Sequence, residues 1–258
     1  MENILEIKGL ERVYKERFST QVTRALQGIN LNVAAGEFLV IMGESGSGKS
    51  TLLNLIATLD RPTAGEIKYK GALLNRLSNA DLAEFRRREM GFVFQDFNLL
   101  EQFNIADNIR LPMVLDGIPG DEMERRLSHY ANILKIHKQL NKYPYELSGG
   151  EQQRVAVARA LVMKPSIVLA DEPTGALDSK TSTHLMESFA ELNAAGQTIL
   201  MVTHSLRAAC YGRRILFLRD GRIYYELYRG KLAPEDFREK ISDAMALLDA
   251  GEARNETA

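Results

Sequence analysis

The sequence predicts an α/β fold in which a buried sheet presents a phosphate-binding loop, and three observations carry that prediction. Three short apolar runs, FLVIM (38–42), SIVLAD (166–171) and TILMVT (198–203), are each followed by polar turn residues, as expected of central strands covered on both faces. The stretch GESGSGKS (43–50) joins the first run to an apolar helical segment, STLLNLIATLD. Between about Asn98 and Pro165 strand signals are few and helical ones frequent, which predicts a helical lobe inserted into the sheet domain.

In chain order, Ile29, Leu31 and Val33 alternate and Gly36-Glu37 turns, so a strand precedes FLVIM. DLAEFRRREM (81–90), DEMERRLSHYANILKI (121–136) and the segment after LSGG (147–150) read as helices. Asp220-Gly221, between two strand-like runs in RRILFLRDGRIYYELY, predicts a hairpin. Phe237, Ile241, Met245 and Leu248 recur at helical spacing, as in a surface helix packed on its own domain.

Composition excludes several function classes. At 258 residues the chain can build a sizeable core, and a formal net charge of −1 gives no global pull toward nucleic acid or anionic lipid. Arg86-Arg87-Arg88, the dense basic run, reads as a solvated helix face. The single cysteine, Cys210, rules out an internal disulfide framework, fits a reducing compartment, and reads as a small buried apolar residue. The start, MENILEIKGLERVYK, lacks the features of a signal peptide, and no apolar run approaches the roughly 20 residues that span a bilayer. Membrane association would require docking on another protein.

The chemistry begins at Gly43-Glu44-Ser45-Gly46-Ser47-Gly48-Lys49-Ser50. Its glycines let successive backbone N–H groups converge on phosphate oxygens, and the helix that follows turns its positive dipole end toward the same anion. Lys49 would reach the β- and γ-phosphates, and Ser50 would offer its hydroxyl to Mg²⁺. Asp171 and Glu172 end the second apolar run, where Asp171 can hold the metal and Glu172 can orient and deprotonate a water. His204 ends the third run, where it can face the γ-phosphate. Gln95, in FVFQDFNLL, either caps a strand or reaches the metal and the water from the edge of the helical lobe, a place suited to gating.

A second anion-binding element lies in LSGGEQQR (147–154): Ser148 suits an N-cap, and Gly149 and Gly150 expose N–H groups at the mouth of a helix. It lies in the helical lobe, away from Gly43, so it would have to meet another molecule's nucleotide. A two-fold dimer with two composite sites accounts for it.

GESGSGKST, Gln95, LSGGEQQR, IVLADEPTGALD and His204, in that order, resemble the ATP-binding cassette (ABC) ATPases, and the resemblance covers about Ile4 to Tyr225. It implies a P-loop NTPase of ABC type: a mixed sheet core, an antiparallel N-terminal β subdomain and an inserted helical lobe. The nucleotide-binding domain would span 1–228, with the lobe at about 98–165 and a helical tail at 229–258. The resemblance also implies ATP and Mg²⁺ as ligands, with Lys49, Ser50 and Thr51 on phosphate and metal and Asp171 supporting Mg²⁺. Glu172 would be the base, His204 the switch histidine, Asp178 the cross-dimer loop, and Ser148 and Gly150 the trans contacts to γ-phosphate. Glu151 stands where many members have Gln, a difference expected to matter little. The adenine platform would be Tyr14 in RVYK, with Phe18 as the alternative.

Within the family, IMGESGSGKSTLLNLIATLDRPTAGEI, FQDFNLL and DEPTGALDSKT resemble the macrolide-efflux, lipoprotein-release and cell-division branch. KYPYELSGGEQQR, GALDSKT and the late ELYRGK, followed by a charged helical tail, resemble most closely the ATPases of bacitracin-type peptide-resistance transporters. That likeness implies a homodimer on the cytoplasmic face of the membrane, a separate integral membrane permease, and a sensor histidine kinase reached through it, with no nucleic-acid partner. Phe97, Leu99, Leu100 and Phe103 are then candidates for a groove that holds a permease helix. A DNA-repair type would need a long coiled coil between Gly48 and Leu147, a translation-factor type would need two cassettes, and a regulatory nucleotide-binding module would have no use for Glu172 and His204.

Overall fold

The computed structural model describes residues 2–15 and 22–255. In chain order the elements are β1 (Asn3–Lys15), β2 (Val22–Ala34), β3 (Phe38–Met42), α1 (Lys49–Ile56), β4 (Ala64–Tyr69), β5 (Ala72–Leu73), α2 (Asn79–Glu89), β6 (Met90–Val93) and α3 (Ile105–Leu115). There follow α4 (Gly120–Ile133), α5 (Gly149–Leu161), β7 (Ile167–Asp171), α6 (Ser179–Ala194), β8 (Thr198–Val202), α7 (Leu206–Ala209), β9 (Arg214–Arg219), β10 (Arg222–Tyr228) and α8 (Pro234–Asn255).

Two sheets form. One is antiparallel with order β2-β1-β4-β5; the other has order β10-β9-β3-β8-β7-β6, parallel except for β10. Alternation along β3 shows why its run is apolar throughout. Leu39 and Ile41 face a core shared with α1 and the antiparallel sheet, whereas Phe38, Val40 and Met42 face a second core filled from α3 to α8. Because β3, β7 and β8 are parallel neighbours, their carboxyl ends open on one edge, the place where open α/β sheets bind ligands.

Residues 98–165 hold α3, α4 and α5 and, among the described residues, no strand. Helix α3 was not singled out from the sequence, because Pro112 interrupts it. Asn104 caps it by accepting from the Asp107 N–H at 2.8 Å, and its buried Ile105, Ile109 and Met113 lie one turn apart. The predicted helix over 81–90 stops at Glu89, and Met90 opens β6. At the β9–β10 turn both Asp220 (φ 46°) and Gly221 (φ 71°) are left-handed, the twist that a two-residue hairpin needs.

The basic run is not a free solvated face. Arg86 donates to the carbonyl of Thr58, Arg87 and Arg88 share Asp116, and Arg88 also pairs with Glu84. Cys210 is buried. Helix α8 seats Phe237 and Ile241, both fully buried, in the same core as Phe38, with Met245 half-buried beside it; the Leu248 side chain lies outside the described ones. No helix among the described residues is long and apolar enough to cross a membrane.

Candidate functional site

The loop 43–48 leaves β3 and enters α1. Gly48 is left-handed (φ 103°), and a side chain there would press within 2.5 Å of the Ala25 carbonyl oxygen. Gly43 is hemmed in as well: a Cβ would overlap the Leu218 carbonyl oxygen and lie 2.7 Å from Ser47 Oγ. Ser45 and Gly46 form the exposed tip, while Ser47 is buried and its hydroxyl has no hydrogen-bond partner among the described residues.

The start of α1 is chemically distinctive. Helices α2, α3, α5 and α6 each have a side chain that accepts from an orphan N–H: Ser78, Asn104, Ser148 and Asp178. Helix α1 has neither such a cap nor an acidic residue in its first turn. Its N–H groups and positive dipole end are left for an external anion. Lys49 is buried and donates to the carbonyls of Gly43 (2.9 Å) and Glu44 (2.7 Å), so its ammonium sits at the loop. Burial pulls the Lys49 pKa below its ordinary value, and the carboxylates of Glu172 and Asp171 oppose that pull.

Ser50 is in the first turn of α1 beside half-buried Thr51, and its hydroxyl donates to Asp171 Oδ1 at 3.3 Å. Burial pushes the Asp171 carboxyl up, with Ser50 and Lys49 opposing and Glu172 adding to the rise. A hydroxyl and one carboxylate form an oxygen set suited to Mg²⁺, which keeps several waters and takes the rest of its shell from substrate phosphates. Together the uncapped amides, the orphaned Ser47 hydroxyl and this oxygen pair fit a magnesium nucleotide.

Glu172 follows in a left-handed backbone (φ 45°), and its N–H donates to the Val202 carbonyl. Its Oε2 accepts from the Thr203 hydroxyl at 3.0 Å and the His204 N–H at 3.3 Å, and its Oε1 lies 2.9 Å from His204 Nδ1. A cavity of about 210 Å³ opens beside this pair, lined in part by Thr174, Ser182, Met186 and Arg207. Gln95 is exposed two residues past β6, beyond the strand rather than within it. Its side chain abuts the turn after Glu172, where a Cβ on Gly175 would lie 3.2 Å from Gln95 Nε2.

The second anion element sits elsewhere. Ser148 caps α5 in a reciprocal box with Glu151: its hydroxyl donates to Glu151 Oε2 at 2.8 Å, its N–H donates to the same oxygen at 2.9 Å, and its Oγ accepts from the Glu151 N–H. Glu151 therefore has a structural part that the sequence reading did not give it, and the Ser148 contacts hold its carboxyl below the usual range. Gly149 faces Phe97 and Leu177, and Gly150 packs so closely on Thr181 that no Cβ fits. Asp178 caps α6, accepting from the N–H groups of Lys180 (2.9 Å) and Thr181 (3.0 Å). Among the described residues, these contacts tie 148–150 to the start of α6 rather than to the loop at 43–50.

Tyr14 lies on β1, opposite Thr23. Its hydroxyl donates to Asp60 at 2.8 Å, and the Arg12 guanidinium covers one ring face at 4.4 Å from the centroid. Phe18 lies outside the described residues. Of the groove candidates, Phe97 and Leu99 are half-buried, while Leu100 and Phe103 are 38% and 41% exposed.

Three contributors were missed in the sequence: Thr203, Gln153 and Arg159. Gln153 is fully buried on α5 and donates to the Phe94 carbonyl at 3.2 Å. Arg159, on the same helix, donates to the carbonyls of Asn98 (2.6 Å) and Phe97 (2.9 Å), two consecutive left-handed residues. Helix α5 thereby grips both flanks of Gln95. The polar end of TILMVTH was the signal that could have found Thr203; nothing local marks Arg159.

The ABC transporter family pattern matches residues 26–175. The Bacillus subtilis ABC transporter ATP-binding protein YvcR is 47% identical over 95% of both chains. The bacitracin export ATP-binding protein BceA of Halalkalibacterium halodurans is 41% identical over 95% of this chain and 96% of its own. Among solved structures, a dimeric post-hydrolysis state of the Methanocaldococcus jannaschii cassette MJ0796 with ADP and Pi superposes with a TM-score of 0.81. It is 40% identical and covers 88% of this chain and all of that one.

Proposed function

The chain belongs to the ABC transporter family of ATP-binding cassettes, and from that premise we propose that two copies close on ATP to drive a separate membrane permease in antimicrobial-peptide resistance. As a member of this family, with its P-loop NTPase fold, the protein binds ATP and hydrolyses it. The observation that carries the site reading is the uncapped start of α1, next to Ser50–Asp171 and Glu172. We take residues 1–228 as the nucleotide-binding unit, 98–165 as its helical lobe and 229–258 as the tail.

In this reading the amides of 43–51 and Lys49 hold the phosphates, and Tyr14 supports the adenine on the ring face away from Arg12. Ser50 and Asp171, with Gln95 from the lobe, hold Mg²⁺, which when bound neutralises developing charge on the phosphates. Glu172 takes a proton from the attacking water, and His204 contacts the γ-phosphate. Ser148, Gly149 and Gly150 of one copy cover the nucleotide in the other, and Asp178 lies at the crossing of the two. Leu100 and Phe103 supply apolar surface for a permease helix on the cytoplasmic side.

Resistance to bacitracin-like peptides is supported by the match to BceA along nearly the full length of both chains. The chain then works through a permease that a sensor kinase accompanies. A macrolide-efflux, lipoprotein-release or cell-division complex is the second reading, favoured by the branch's motif wording in 41–67, 94–100 and 171–181. Pull-down from detergent-solubilised membranes tests the assignment. Recovery of an integral permease, with ATPase activity stimulated by bacitracin, is the expected result. Recovery of nucleic acid or ribosomes overturns transport, and stimulation by macrolides or lipoproteins alone selects the second reading.

A further inference from the structure

We propose that Thr203 is a positioning residue for hydrolysis, which pins Oε2 of Glu172 so that Oε1 alone is presented to the attacking water. The proposal rests on Glu172 being the base. Thr203 is fully buried, and its N–H donates to the Ile41 carbonyl at 3.1 Å, so the backbone that bears the hydroxyl is tied to the sheet. The direction of its hydrogen bonds is fixed by chemistry. Ser205 N–H donates to Thr203 Oγ1 at 3.0 Å, which occupies a lone pair, and the single hydroxyl proton is left for Glu172 Oε2 at 3.0 Å.

The two carboxylate oxygens thus have unequal partners. Oε2 is held by two groups on the loop after β8, the Thr203 hydroxyl and the His204 N–H. Oε1 is held by the ring of His204, whose side chain is 73% exposed against 13% for Glu172. A ring so exposed can leave Oε1 for a phosphate without disturbing Oε2. Glu172 has three side-chain torsions, and with Oε2 anchored the carboxylate stays aimed when the ring departs. An isosteric valine would fill the same apolar space, so packing alone does not require the hydroxyl.

The test compares Thr203→Val, Thr203→Ser and Glu172→Gln in the full chain. In Thr203→Val, kcat falls about tenfold or more, the worth of one hydrogen bond to a charged group. KM for ATP stays within about twofold, and Mg-ATP still drives dimer formation in size-exclusion chromatography. Thr203→Ser returns kcat to near wild type, and a nucleotide-free crystal structure of Thr203→Val shows Glu172 Oε2 displaced while Ser205 stays in place. Should valine not fold, Thr203→Ala against Thr203→Ser makes the same comparison. Normal kcat in Thr203→Val, or an equal loss in Thr203→Ser, overturns the proposal while Glu172→Gln remains inactive. Wild-type turnover in Glu172→Gln instead overturns the base assignment beneath it.

Discussion

Nδ1 of His204 lies 2.9 Å from Oε1 of Glu172, and the histidine is the exposed partner of the two. The carboxylate is therefore guarded by a group that solvent or phosphate can draw away. Replacing Glu172 with Gln keeps the shape and removes the base. We expect ATP binding to persist, turnover to fall by about 100-fold or more, and a nucleotide-trapped dimer to accumulate, read by phosphate release and size-exclusion chromatography.

Composite sites make mixing informative. Lys49→Ala disables the loop of its own chain, and Ser148→Ala disables the cover offered to a partner. A mixed dimer would gather both defects in one site and leave the other intact. An equimolar mixture should thus recover roughly a quarter of wild-type ATPase activity while each variant alone is inactive. No recovery would mean that Ser148 serves its own chain.

Burial raises the Asp171 pKa, and that carries a sign for stability. A carboxyl that holds its proton more tightly folded than unfolded stabilises the fold when protonated. That contribution is lost as pH rises from the group's ordinary value of 3.8 through its raised folded pKa. At neutral pH the ionised group is a cost that Asp171→Asn removes, since Asn can still accept from Ser50. We expect a higher Tm for the nucleotide-free variant, a difference that vanishes in acid, and loss of Mg-dependent ATP binding.

Arg159 bridges α5 to the carbonyls of Phe97 and Asn98. Arg159→Leu leaves two carbonyls without that donor and frees a strained turn, at about 1–3 kcal/mol of stability. Hydrogen exchange at the amides of 95–99 should accelerate, and ATPase activity should fall more than ATP affinity. Unchanged protection there would show that the turn stands without the clamp.

Phe237 is a fully buried ring contributed by α8. Phe237→Ala should cost about 3–5 kcal/mol in denaturant unfolding, comparable to a central core deletion. A loss below 1 kcal/mol would mark α8 as an independent appendage.

What the sequence made legible follows from how local each signal is. The runs that became β3, β7 and β8 declare themselves because both faces are covered, and the loop at 43–50 because chemistry and backbone freedom require the same residues. Strand β1 was not legible: its partner register slips at Leu5, Leu10, Leu10–Glu11 and Arg12–Val13, which breaks the alternation that marks a strand. The grips of Arg159 and Thr203 were hidden because their partners lie 62 and 31 positions away, and only the tertiary fold brings them together. Glu151 looked interchangeable with Gln because the sequence does not show whether its carboxylate reaches back to Ser148.

Phe237 and Phe38 occupy one core although they come from opposite ends of the described chain. During synthesis the space that α8 fills must stay open until that helix clears the ribosomal exit tunnel. Nascent chains, and any product of premature termination before Pro234, would display a greasy strip of the kind chaperones and proteases recognise. Truncated products would then be cleared before they could engage a transporter.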